Sequence, residues 1–298
     1  GIGKPGYPRF KGSNRWQSFT IQRCGSVIKG QKVRVSGIGL IRARNIRVWD
    51  GKIIEQRIVR RANRWFCQLV VEMPEPQPIR MPRPAVGVDM GLKSFAVLSD
   101  GGTIDNPRFG RQAERKVARA HRNVSCKAKG SHNRRKSVLR LQRVYFRMSN
   151  LRHNFTHQAS RRVAVRYSIV AVEDLNINGL VQGRLAKSIL DACWAQFLSQ
   201  LAYKVEETGG VFVKVNPAGT TQECSNCGRH VPKDLSVRVH DCPHCGLVLD
   251  RDHNAALNIL QRAIQHPAAV GRSVMPAEGR RLPSETGSPA PELHVLSD

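Results

Sequence analysis

Residues 220–260 read TTQECSNCGRHVPKDLSVRVHDCPHCGLVLDRDHNAALNIL, and the rest of the chain is organised around them. Two Cys-x-x-Cys knuckles, Cys224/Cys227 and Cys242/Cys245, are separated by fourteen residues that hold turn formers and a β-rich patch, Leu235 to Val239. Each knuckle offers two thiolates, so the pair can close one tetrahedral four-sulfur site of the structural zinc type. Two reactive dithiols, or four incidental cysteines, are the competing readings. Against them stand Gly228 and Gly246, one directly after each knuckle. Backbone there has to turn its amides toward the sulfurs, and glycine tolerates the positive φ this needs. His230, His240 and His244 crowd the segment. With four sulfurs completing a tetrahedron, they are expected at the surface or just outside the ligand set.

Directly after the second knuckle comes DRDHNAA, in which Asp250 or Asp252 opens an apolar-periodic helix through Ala256, Ile259, Leu260 and Ile264. One of these acids can simply cap that helix. The other reading is that a metal-stapled hairpin delivers one of them to a site built elsewhere in the chain.

Working toward the N-terminus, residues 168–174 read SIVAVED, a buried-strand run ending in Glu173 and Asp174, and residues 85–89 read AVGVD, a second such run ending in Asp89. Aspartate at a strand exit is often only a turn former. Two apolar strands that both end in carboxylates are harder to dismiss. Asp89, Glu173 and Asp252, brought to one sheet edge, would supply the oxygen ligands and open positions that hard divalent cations need. Two ions about 4 Å apart would activate an attacking water and stabilise a leaving 3′-oxygen, so the expected chemistry is phosphodiester hydrolysis.

The remaining segments are strongly basic. The chain of 298 residues carries 49 Lys and Arg against 22 acids, a net charge of +27. That excess makes nucleic acid the leading partner, ahead of an anionic membrane surface. No apolar run reaches membrane length and no signal peptide is evident, so a cytoplasmic, nucleoid-associated protein is expected. Cys24, Cys67, Cys126 and Cys193 are scattered singly and are read as reduced.

Residues 1–80 read as short strands with seventeen bases against four acids. The alternation of Val33 and Val35 with Lys32 and Arg34, and of Ile41 and Ala43 with Arg42 and Arg44, predicts a small barrel with a basic outer face. Such faces are often merely solvated; here phosphate-backbone contact is favoured. The Pro-rich residues 73–84 form a stiff linker. From 108 to 166, eighteen Lys and Arg face one acid, Glu114, and the apolar spacing predicts two helices joined across Lys129, Gly130 and Ser131. Tyr145 and Phe155 are assigned to the core seam. Residues 185–207 predict one helix, and the chain past about Ala268 a disordered tail.

The stretches GVDMGLKSFAVLSDG, IVAVEDLNINGL, TTQECSNCG and CPHCGLVLDRDHNAALNI together resemble the TnpB (OrfB) family of transposon-encoded RNA-guided DNA endonucleases, related to type V CRISPR effectors. YPRFKGSNRWQSF and KGSHNRR are similar to it as well, so the likeness covers about Tyr7 to Ile264. The resemblance implies an α/β and β protein. Residues 1–80 would be a wedge-like β-barrel holding guide RNA. A RuvC/RNase H-like nuclease would be built from 81–107, 167–219 and 249–267. A helical insertion would occupy 108–166 and a zinc ribbon 220–248, with a tail at 268–298. It also implies Asp89, Glu173 and Asp252 as the catalytic, magnesium-binding acids, with Asp250 as the alternative for the third. Structural Zn2+ would sit on Cys224, Cys227, Cys242 and Cys245, two Mg2+ in the active site, and guide RNA and target DNA would be the partners. Family members begin with further segments ahead of the YPRFK-like motif, so the chain is expected to be N-terminally short. A DNA-binding protein that acts without cleavage is the alternative function.

Overall fold

A computed structural model of the chain describes residues 16–22, 28–46, 51–75, 77–79, 81–234 and 236–265. Cys24, the YPRFK motif and the predicted tail lie outside them. The chain divides into two units: residues 1–76 with 109–151, and residues 77–108 with 152–298.

The first unit opens with β1 (Ser18–Gln22), β2 (Ile28–Lys29), β3 (Lys32–Val35), β4 (Gly39–Arg42), β5 (Lys52–Arg61) and β6 (Arg64–Glu72). They pair as two antiparallel three-stranded sheets, β1-β5-β6 and β2-β3-β4. One small core serves both: Val33 and Val35 pack with Ile21, Ile53, Ile58 and Leu69. Strand β3 alternates as its sequence predicts, with Val33 and Val35 buried between exposed Lys32 and Arg34. Strand β4 does not. Ile41 is 45% exposed, because this short strand forms the outer edge of its sheet, where a single neighbour cannot cover it.

The second unit is mixed α/β. Its sheet is made by β7 (Ala85–Met90), β8 (Ser94–Leu98) and β9 (Thr103–Asp105), then, past α1 (Phe109–Ser125) and α2 (His132–Arg166), by β10 (Ile169–Glu173). After α3 (Ile177–Leu180), α4 (Ala186–Ala192) and α5 (Trp194–Glu207) comes β11 (Val211–Val215). The strand order is β11-β10-β7-β8-β9, with β10 parallel to both neighbours and β8 antiparallel to both of its own. Strands β7 and β10 are buried throughout, as apolar runs covered on both faces must be. Period-2 alternation splits them between two cores. Val86, Val88, Val170 and Val172 join Phe95, Tyr167, Phe197 and Leu201 on one face. Ala85, Ile169 and Ala171 join Ile259 and Ala263 on the other.

After β12 (Val239–Asp241) and β13 (Val248–Asp250), the chain ends its described part in α6 (Arg251–Ile264). Helix α6 lies directly on β7. A Cβ placed on Gly87 would stand 2.0 Å from the Ala256 carbonyl oxygen and 2.7 Å from the Leu260 nitrogen, so only glycine permits this approach. The buried apolar stripe of α6 is Ala255, Ala256, Ile259 and Ala263, whereas Ile264, assigned to it from spacing, is 43% exposed as the last residue of the helix.

Three further expectations are corrected. The helix predicted over 185–207 breaks at Cys193, which adopts φ 56°, ψ 41° and separates α4 from α5. Tyr145 is 45% exposed rather than core, and its hydroxyl sits 2.8 Å from His121 Nε2, which a polar-tipped ring prefers to full burial. Phe155 does pack in the core, edge-on to Phe95. Leu235, where the predicted β-rich patch starts, lies outside the described residues, and the hairpin strand begins only at Val239, past 236–238, and pairs with Val248–Asp250. Among the described residues, Cys67, Cys126 and Cys193 form no disulfide.

Candidate active site and metal centre

Two parallel strands set the first two acids side by side. The β7/β10 register pairs Ala85 with Ile169 and Val88 with Val172, and one step further it sets Glu173 beside Asp89. Both lie in phase with Gly87 and Ala171, hence on the face that α6 covers. Helix α6 meets that face through Ala256 against Gly87. Asp252 lies one turn, about 5.4 Å, nearer the helix start.

Burial and like charge act together on Asp89. It is 8% exposed, and its pKa is raised well above the ordinary 3.8 first by desolvation, then by the carboxylates of Glu173, Asp252 and Asp250, with Arg251 opposing. Glu173 is raised by burial, while the Thr220 hydroxyl and Arg262 pull it back. Thr220 Oγ1 donates to Glu173 Oε1 at 2.5 Å. Arg251 Nε and Nη2 both lie 3.2 Å from Asp252 Oδ1, and Arg238 Nη1 is 3.7 Å from Oδ2. Asp250 is differently employed. Its Oδ1 accepts from the Asp252 and His253 amides and caps α6. Asp174 points away into an exposed pair with Lys214.

The four predicted cysteines come together. Among the described residues, Cys224, Cys227, Cys242 and Cys245 are the cluster of three or more metal-ligating side chains whose ligand atoms all lie within 4.8 Å of one another. Cys224–Cys245 and Cys227–Cys242 Sγ distances are each 3.6 Å. That is far beyond a disulfide and close to the ~3.8 Å edge of a tetrahedron with ~2.3 Å metal–sulfur bonds, so the cluster is compatible with a zinc-type four-thiolate site. Gly228 and Gly246 both take φ +72°, and their amides donate to the Cys224 and Cys242 carbonyls. His230 and His244 are exposed as expected. His240 is not: it is fully buried and its Nδ1 meets Lys233 Nζ.

Sequence reasoning missed the clamp that joins cluster to sheet. Asn254 Nδ2 donates to the Glu223 carbonyl at 2.7 Å, and its Oδ1 accepts from the Ser225 amide at 3.0 Å. Asn258 Nδ2 donates to the Thr220 and Glu223 carbonyls at 2.8 Å. Arg262 ties Glu223 and the Asn216 carbonyl at 2.6 Å each. The signal was present: two asparagines four apart inside an apolar helix stripe are poor helix formers, kept where they have bonds to make.

This is a mixed α/β protein with acids at one sheet edge and a four-cysteine cluster linked to that edge by a helix. The sequence matches the OrfB_IS605 family model, "Probable transposase", over residues 68–184 and the Cas12f1-like TNB domain over 194–259. The chain thus carries segments similar to both family models. It is 38% identical over 230 residues to a Streptomyces pristinaespiralis protein named "Putative RNA-guided DNA endonuclease", covering 76% of this chain and 56% of that one. It is 29% identical to "Putative RNA-guided DNA endonuclease InsQ" of Escherichia coli (strain K12), covering 94% and 73% respectively. The chain thus spans between about half and three quarters of the length of these relatives. A solved CRISPR-Cas12f ternary complex aligns over 77% of this chain and 51% of its own at 17% identity, with a TM-score of 0.46. Among the described residues, no helix is long and apolar enough to cross a membrane.

Proposed function

We propose that this chain carries the nuclease machinery of a transposon-encoded RNA-guided DNA endonuclease and hydrolyses DNA phosphodiesters at a magnesium centre on Asp89, Glu173 and Asp252. In this reading the five-stranded sheet is of the RuvC/RNase H-like type, residues 1–80 form the wedge-like barrel that holds guide RNA, and 220–248 are a zinc ribbon. The observation that carries it is the buried Asp89, whose ionised form is opposed by burial and by three neighbouring carboxylates. Such a gathering of like charge costs stability unless a cation compensates it, and sites of this kind are where function is found.

Magnesium, when bound, supplies a Lewis acid for the phosphate and a water acidified toward neutral pH. The chain's own residues do the rest. Thr220 fixes one oxygen of Glu173 and leaves the other for a ligand. Arg251 and Arg238 hold Asp252 in one orientation. Zinc on the four thiolates would set the knuckle loops that Asn254 and Asn258 bind, and so the pose of the helix bearing Asp252.

The test is to sequence the RNA that copurifies, supply duplex DNA matched to it with Mg2+, and compare the parent with Asp89→Ala. Cleavage by the parent and none by the variant, with DNA still bound by both, is the expected result. Cutting that survives the substitution removes Asp89 from the site, and retention of intact DNA by the parent under saturating Mg2+ supports occupancy without cleavage.

A further inference from the structure

The first unit holds a cationic cavity that the catalytic reading does not use. Ala62 and Asn63, at φ 48° and 64°, make the two-residue turn between β5 and β6, the conformation that a tight hairpin needs at both positions. Between this tip and the turn joining α1 to α2 lies a cavity of about 410 Å3 lined by Arg60, Asn63, Ser131, Arg134 and Arg135 above the apolar Val138. Three arginines line it and, among the described residues, no carboxylate does.

Each arginine is set differently. Arg134 Nη1 donates to the Val124 and Lys127 carbonyls at 2.7 and 3.4 Å, which fixes its guanidinium against the C-terminal end of α1. Arg60 Nη2 donates to Asn63 Oδ1, and its guanidinium carbon lies 5.6 Å from the Trp65 ring centroid. Arg135 lines the cavity and adds a third positive charge. Three positive charges lining one cavity favour an anion there, and planar guanidinium forks match phosphate oxygens.

A free phosphate would not need what lies alongside. Trp65 is 58% exposed and Phe19 37% exposed. The register pairs Arg60 with Trp65, and Phe19 with Ile58, so both rings stand on the sheet face that buries Ile58 and Leu69 further along. Exposed rings next to an arginine are the means by which proteins hold unpaired bases; in a duplex those faces are already stacked.

We propose that the β5–β6 hairpin tip and the α1–α2 turn form a binding site for single-stranded nucleic acid, with a backbone phosphate among Arg60, Arg134 and Arg135 and an unpaired base on Trp65. The site rests on the nucleic-acid half of the proposed function and not on its cleavage chemistry, so it is tested without divalent metal. Labelled oligouridylate, oligothymidylate and a duplex of equal length are titrated with the full chain across a range of salt. Arg135→Gln should weaken both single strands and lower the salt slope by about 0.7. Trp65→Ala should weaken them ~5- to 100-fold with the slope unchanged and duplex binding little affected, and Trp65→Phe should restore most of the loss. A preference for oligouridylate or for oligothymidylate identifies RNA or DNA as the occupant. Parent affinity and slope in both Trp65→Ala and Arg135→Gln would overturn the site; equal loss of duplex binding in Trp65→Ala would overturn the base-stacking assignment. Because no divalent metal is present in the titrations, a chain that fails to cut can still pass this test.

Discussion

At the scale of single residues, Asp89 binds folding to function. Its folded pKa is raised above the unfolded value of 3.8, so between the two the folded state holds the extra proton. Stability in metal-free buffer therefore falls as pH rises from about the unfolded pKa through the folded one, and the penalty persists at neutral pH. Asp89→Asn keeps the shape and deletes the charge. We expect the metal-free variant to melt about 2–4 °C higher at neutral pH, on a relief of ~1 kcal/mol, and to lose cleavage. Thermal melts without divalent ions, run from acid to neutral pH, check this: an unchanged or lower melting point at neutral pH would mean that the buried carboxylate carries no such penalty.

At the scale of elements, α6 separates its two acids by role. Asp250 gives its oxygen to the helix amides, whereas Asp252 faces Arg251 and Arg238 beside the strand ends. Asp250→Ala should cost about 1 kcal/mol, the usual loss of a cap, and leave guided cleavage near the parent rate. Asp252→Ala should abolish cleavage with a smaller effect on the melt. The reverse pattern in paired melts and cleavage assays would exchange the two assignments. Sequence alone could not make this distinction, because an acid two residues either way satisfies both a cap and a ligand pattern. Other elements were legible for physical reasons. Buried apolar strands announce themselves by composition, and the Cys-x-x-Cys pairs by spacing. What stayed hidden depended on neighbours far along the chain: the left-handed break at Cys193, the exposure of Ile41 at a sheet edge, and the Thr220 hydroxyl aimed at Glu173.

At the scale of the whole molecule, the two kinds of metal site should behave as separate variables. A zinc-selective chelator, or Cys224→Ser, removes a ligand set that organises the loops bonded to Asn254 and Asn258. Loss of zinc by metal analysis should therefore accompany a lower melting temperature and lost cleavage. Withdrawal of magnesium should stop cleavage while leaving the fold intact, and its return should restore activity at once. Melts and metal content measured side by side test the pairing, and zinc stoichiometry unchanged in Cys224→Ser would contradict the four-thiolate site.

The close approach of Gly87 to Ala256 ties the spacing of the acids to one missing side chain. With no side chain between them, the backbones of strand and helix approach so closely that any Cβ at residue 87 would force them apart. A larger residue at position 87 should therefore move Asp252 relative to Asp89 and, under the proposed function, lower cleavage before it unfolds the sheet.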